Sequence, residues 1–265
     1  RYLDPTDAHR NAALGCPEAS WRPSGLLSTH PQYMGTPRYG LDEWWKLFTR
    51  RQLLALTTFS DLLPEIHRRV LRDAQVAGMS EQEGRLRDGG RGSSAYADGV
   101  VTYLAFAIDR LADWNSSLCR WEKKAAVSQQ VFSDKAIKMV WDYAEANPLS
   151  SSTGSLRATL KTMRSAIEAI PRQLYPAEVA QRDAESRVIE TGSCAVSTDP
   201  PYYAQVPYAD ISDFFFVWLR RNLGEIWPDE CATLFTPKNE ELVADEKRHG
   251  SKMHAARFFE QGDGV

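Results

Sequence analysis

Apolar residues along this chain recur mostly at three- and four-residue spacing, the rhythm of helices that bury one face. In "LDEWWKLFTRRQLLALTTFSDLL" (residues 41–63), Trp44, Phe48, Leu53 or Leu54, and Leu56 share a stripe, and Pro64 forces a break or a new start. "PEIHRRVLRDAQVAG" (64–78) continues with Ile66, Val70 and Ala74 on one side and Gly78 as its stop. "GVVTYLAFAIDRLADWNSSL" (99–118) places Val101, Leu104, Ile108 and Leu111 together, and a further short helix is expected from Asp134 to Ala146, ahead of Asn147-Pro148. "SLRATLKTMRSAIEAIP" (155–171) aligns Leu156, Leu160, Met163, Ile167 and Ile170, with Ser155 as N-cap and Pro171 as terminator.

The rhythm fails in three places. Residues 1–40, rich in Pro, Gly, Ser, Thr and single aromatics, read as an irregular, partly packed arm. Residues 79–98 are polar and Gly-rich, which predicts a mobile loop. After "RDAESRVIETGS", the run "CAVS" (194–197) changes period and reads as a buried strand. These breaks divide the chain into the arm (1–40), a mostly helical region (41–185) and a last region (186–265) containing that strand.

Composition narrows the classes without choosing among them. A chain of 265 residues is 43% hydrophobic and 25% charged, with a net charge of −3, so any polyanion site must be a local patch. Its four cysteines, Cys16, Cys119, Cys194 and Cys231, lie far apart; that excludes a paired zinc motif and a disulfide framework and points to a reducing cytoplasm. The longest apolar run, Ile211–Leu219, is interrupted by Asp213 and falls short of the ~20 residues that span a bilayer, so no membrane partner is expected.

Candidate chemistry concentrates in "TDPPYYAQVPYADISDFFFVWLRR" (198–221), where the strand delivers Asp199-Pro200-Pro201-Tyr202 into a loop followed by an apolar helix. The carboxyl end of a strand, before such a loop and helix, is where an open α/β sheet places its ligand. Proline's fixed φ holds the Pro200 carbonyl still and removes a competing N–H. The Asp199 carboxylate and that carbonyl can accept both hydrogens of one amino group, and Tyr202 can stack on the ring bearing it, a contact of ~1–3 kcal/mol.

This tetrapeptide resembles the catalytic motif of S-adenosylmethionine-dependent amino methyltransferases acting on DNA adenine. With "LFTPKNEELVAD", "FTRRQLLALTTFSDLL", "YADGVVTYLAFAIDRLADWNSSLCRW" and "MVWDYAEANPLSSS", the resemblance extends over roughly residues 40–260, to large bacterial and archaeal adenine-specific DNA methylases, some linked to phage defence. It implies an α/β fold, a partial Rossmann-like methyltransferase sheet beside a large, mostly α-helical region. Asp199, Pro200, Pro201 and Tyr202 would be catalytic, S-adenosylmethionine the cofactor, and DNA the partner, alongside other subunits of a modification or defence system. The family's Gly-rich cofactor loop lies N-terminal to everything here. The chain is therefore expected to be a middle section, inactive alone, and "DGGRGSS" (88–94), which follows no strand, is a plain loop.

Other residues carry blander readings. Phe214, Phe215, Phe216 and Trp218 are expected to pack the core. Arg157, Lys161 and Arg164, at i, i+4 and i+7, form a stripe that is either a solvated face or a contact for nucleic-acid phosphates. Arg50-Arg51, His67-Arg68-Arg69 and Arg220-Arg221 can cover apolar surface with their stems, and Asp210 and Asp213 can favour the dipole of the helix they open. His249 and His254 lack the spacing of a zinc helix, and no metal is expected. Two rivals remain: the same chemistry on RNA or a protein amide, and a non-catalytic module that binds DNA or a partner.

Overall fold

The computed structural model describes residues 4–81, 84–171, 195, 197, 206–238 and 241. About half of the residues are helical, and the described residues contain one small antiparallel sheet of two strands, so the fold is mixed α/β. A Rossmann-like sheet is not among them. Of residues 194–197, read from sequence as a buried strand, only Ala195 and Ser197 are described; both are exposed and lie in neither strand nor helix.

Each helix begins where its capping residues dictate. The arm is not wholly irregular: α1 (Asp7–Leu14) forms on it, capped reciprocally by Thr6 and His9, although it buries no side chain. Trp44–Leu47 make a 3₁₀ turn, and α2 (Arg50–Asp61) starts only at Thr49, whose hydroxyl caps the Gln52 N–H while its own N–H donates to the Gln52 side chain at 2.8 Å. Pro64 sits in the first turn of α3 (Leu63–Val76), where its missing N–H costs nothing, and Gly78 closes the segment at φ +87°. α4 (Ser93–Trp114) is the longest helix described, with 22 residues. The chain then turns through a hairpin of β1 (Arg120–Glu122) and β2 (Val127–Gln129), with Arg120 opposite Gln129. Ser155 caps α5 (Leu156–Glu168) as its sequence predicts, and α6 (Tyr208–Leu223) follows.

Two local expectations are overturned. Residues 134–146 form no helix, because their backbone is spent on distant partners. Ile137 N donates to Tyr33 O at 2.8 Å, Gly35 N to Ile137 O at 2.9 Å, and Ala144 N to Cys119 O at 2.7 Å. Such pairings outweigh helix propensities of well under ~1 kcal/mol per residue. The Gly-rich loop is shorter than expected, since α4 begins at Ser93, and it is pinned. Arg85 donates to the fully buried Asp98 through Nε (2.7 Å) and Nη2 (2.8 Å), and Leu86 N donates to the same carboxylate at 3.1 Å.

One buried cluster draws on all parts of the described chain. Leu27 and Met34 come from the arm, Trp44 to Ile137 from the middle and Phe214 to Ile226 from the end. α4 packs against α2, α3, α5 and α6. Phe214 and Trp218 are fully buried; Phe48 stacks on Phe214 at 5.7 Å, and Phe132 meets Phe214 at 5.2 Å. The aromatic run is thus core, as expected, with Phe215 and Phe216 half-buried. The α5 stripe is not: Leu160, Ile167 and Ile170 are exposed, and Thr159 is the buried residue of that helix.

α4 also carries buried acids. Burial pushes the Asp109 carboxyl well above its usual range, and its Oδ1 has no hydrogen-bond partner among the described residues. Burial likewise raises Asp113 to about 6, against the opposing bond from Phe132 N. Folding therefore holds protons that the unfolded chain releases above pH ~4, so these groups destabilise the fold as pH rises from there. Asp109→Asn removes the ionisable proton in nearly the same volume. Thermal melts should place this variant on the order of 5 °C above wild type at pH 7.5, and the gap should close near pH ~4; a gap independent of pH would contradict the assignment.

Candidate functional site

Asp199, Pro200, Pro201 and Tyr202 lie outside the described residues, as do Cys194, His249 and His254. The chain that follows the motif is described from Val206 onward. Val206 and Pro207 lead into α6, whose first residue stands six positions after Tyr202. The opening turn of α6 is held by the segment Thr236–Lys238 and by Glu241. Asp213, 2% exposed, accepts from Thr236 N at 2.8 Å and from Lys238 Nζ at 2.5 Å. The Thr236 hydroxyl lies 2.5 Å from Ala209 O and 2.7 Å from Asp213 Oδ1, sharing its one proton between them, and Ala209 N donates to Glu241 Oε1 at 2.9 Å.

Asp213 is therefore not a helix-dipole residue. It stands beyond the first turn, with its charge neutralised by Lys238, and its role is to clasp a segment 23 residues ahead. Asp210 does lie in the first turn, where the dipole favours it, but it too is buried. Neither carboxylate is a free surface charge.

The basic stripe splits. Arg157 and Lys161 line a cleft of ≈720 Å³ between α5 and the end of α4, together with Arg110, Trp114, Ser152 and Thr153. Arg164 does not join them in that lining; it forms an exposed pair with Glu168 at 2.8 Å. Asn115 sets the cleft's geometry. Its Nδ2 donates to Leu111 O at 2.8 Å and to Gly154 O at 2.9 Å, tying the end of α4 to the start of α5. Gly154 adopts φ +82°, and a Cβ there would fall 2.7 Å from the Ala146 side chain, so glycine is required. Among the described residues, Arg110, Arg157 and Lys161 form no ion pair and no acidic side chain lines the cleft, which suits phosphate oxygens.

Three arginines of the other basic pairs are engaged with acids. Arg51 binds Glu145, Arg50 meets Glu18 at 2.5 Å, and Arg221 binds Asp61 while lying 4.3 Å over the Trp21 ring. Cys119 is inert as well, since burial pushes its thiol up to about 12. The loop 88–94 packs against the backbone just before it. A Cβ at Gly90 would fall 1.8 Å from Gly84 O, so the loop closes on its own backbone rather than around a ligand. Among the described residues no cluster of three or more His, Cys, Asp or Glu could hold a metal ion, and no helix is long and apolar enough to cross a membrane.

Sequence reasoning missed the His67–Asp98–Arg85 triad, although its signal was present. Asp98 falls on the same α4 face as Val101, Ala105, Ile108 and Ala112, and a carboxylate on a buried stripe demands partners. Arg110 was missed because its neighbours across the cleft are about 45 residues distant, beyond any local pattern.

No known protein family, curated protein or solved structure matches this chain.

Asp213→Ala should open the clasp. The loss of charge-assisted bonds is worth about 2 kcal/mol, and hydrogen exchange at Thr236 N together with tryptic cleavage after Lys238 should both accelerate at least ~10-fold. Unchanged rates would show that other contacts hold the segment.

Proposed function

We propose that this chain contributes the acceptor-binding part of an S-adenosylmethionine-dependent methyltransferase acting on the exocyclic amine of adenine in DNA. The observation that carries this reading is the Asp199-Pro200-Pro201-Tyr202 motif standing six positions ahead of α6, a helix locked to the core by Phe214 and Trp218 and clasped near its start through Asp213. A loop anchored that firmly at its exit can present fixed hydrogen-bond acceptors, which is what this chemistry needs.

An aromatic amine is a poor nucleophile because its lone pair is delocalised into the ring. Asp199 accepts one N–H and the Pro200 carbonyl the other, so the nitrogen moves toward tetrahedral geometry and its lone pair becomes available. Tyr202 stacks on the base, which must leave the duplex at a cost of a few kcal/mol. S-adenosylmethionine, when bound, supplies an electrophilic methyl group on sulfur. The amine then carries an extra proton, and Asp199, already hydrogen-bonded to it, accepts that proton. The Arg110–Arg157–Lys161 cleft is suited to the duplex backbone, contacts that position without reading sequence.

A second reading, a module that binds DNA without modifying it, is favoured by the basic cleft, which needs no methyl donor to hold a phosphate backbone. Methyl transfer from labelled cofactor to DNA separates the two, using the chain with whatever its gene encodes on either side. Asp199→Ala should cut the rate by ~10²–10³ with little change in DNA affinity. Arg157→Ala with Lys161→Ala should weaken binding alike across sequences and flatten the salt dependence by about two counterions. Equal transfer by wild type and Asp199→Ala would remove Asp199 from its role, and binding without transfer by wild type would establish the module.

A further inference from the structure

Of the 22 residues of α4, those exposed to water are Tyr96, Tyr103, Phe106 and Arg110. Its aliphatic residues turn inward: Val101, Ile108 and Leu111 lie in the core, and Val100 and Leu104 are half-buried. A surface helix ordinarily turns charged and polar side chains to water. Here Tyr96 is 52% exposed, Tyr103 47% and Phe106 45%. The spacing i, i+7, i+10 and i+14 keeps these three rings and Arg110 on one side of the helix. Trp114 extends the row to a length of about 27 Å.

The row ends in the ≈720 Å³ cleft, where Arg110 and Trp114 meet Arg157 and Lys161. One continuous face therefore joins flat rings to concentrated positive charge, and the acids along it are withdrawn. On α4, Asp98 and Asp109 are buried, and the half-buried Asp113 accepts from Phe132 N at 3.0 Å. On α5, Glu168 is held by Arg164. Tyr103 and Phe106 stand edge to face, their centroids 6.4 Å apart and their planes at 87°, so the two rings offer faces in different directions. A duplex keeps the faces of its bases inside the stack, out of reach of rings on a helix ridge. An unpaired strand offers phosphates for the cleft and base faces for the rings, and an arginine guanidinium is a further flat surface for a base.

We propose that the outer face of α4 binds an unpaired nucleic-acid strand, whose bases stack on Tyr96, Tyr103 and Phe106 and whose phosphates are held by Arg110, Arg157 and Lys161. The inference rests on the reading of the basic cleft as a phosphate site and extends that site along α4; it does not depend on methyl transfer or on Asp199. A duplex engages the cleft alone, whereas an unpaired strand continues over the rings. Stacking tolerates any base, because every base has a face, so this surface holds the strand without reading its sequence.

Fluorescence anisotropy of labelled probes against the whole chain tests this. The probes are oligothymidylate and oligouridylate of about twelve nucleotides, a length typical of single-strand sites, and a DNA hairpin duplex. An unpaired probe should bind with a dissociation constant of about 100 μM or tighter at low salt, and the tighter of the two names the sugar. Tyr103→Ala and Phe106→Ala should each weaken that binding at least ~5-fold and leave hairpin binding unchanged. Both side chains are exposed, so the variants should melt with the wild type. Tyr103→Trp should retain single-strand affinity and Tyr103→Leu should lose it, because leucine supplies apolar area without a stacking face. No binding of either unpaired probe, undiminished binding by both alanine variants, or full affinity in Tyr103→Leu would overturn the proposal. The cleft is judged separately: if Arg157→Ala with Lys161→Ala weakens all three probes while the aromatic variants weaken none, the phosphate site stands and the stacking row falls. If that double variant weakens none, the phosphate site falls and the proposal falls with it.

Discussion

Everything described in this molecule leans on the packing of α6 into the helical core. Phe214 and Trp218 are completely withdrawn from water, meeting Phe48, Phe132 and Trp21 edge-on or stacked at 5.2–5.7 Å. Burial of each ring is worth roughly 1.5–3 kcal/mol, with aromatic geometry adding ~0.5–1.5 kcal/mol per pair. No other described helix brings two fully buried large aromatics to one seam, and both ends of α6 serve polar sites. Its opening turns are clasped by Thr236, Lys238 and Glu241; its last carries Arg221 and Asn222 to the lining of a ≈530 Å³ cavity.

The polar interior follows from the same seam. α4 lies beneath α6 and brings Asp98 and Asp109 fully inward with its apolar residues, and Asp113 partly. Asp98 is answered by His67 and Arg85, and that answer fixes both the Gly-rich loop and the imidazole. Asp109 Oδ1 has no partner among the described residues, and burial pushes that carboxyl well above its usual range. One helix therefore shows both solutions to a buried carboxyl: supply partners, or give up the charge.

Much of this was legible in the residue pattern, because helices declare themselves locally. Ile66, Val70 and Ala74, and Val101, Ile108 and Leu111, predicted α3 and α4 well, and Ser155 and Gly78 marked ends where they fall. Failures occurred where long-range contacts decide. Residues 134–146 carry helical spacing yet bond to Tyr33, Gly35 and Cys119, and the hairpin Arg120–Gln129 is too short and polar to show alternation. The α5 stripe predicted a buried face that the described residues do not cover. In the candidate site, Arg157 and Lys161 were found by periodicity, but Arg110 and the Asp213 clasp required the fold.

If α6 is the seam of the helical core, it cannot open separately from α4. Hydrogen exchange measured residue by residue tests this most directly. The amides of Phe215–Leu219 should exchange with the same free energy of opening as those of Ala107–Leu111, both tracking global unfolding. Exchange in α6 through an opening several kcal/mol cheaper would show that it is a peripheral element and that the frame lies elsewhere.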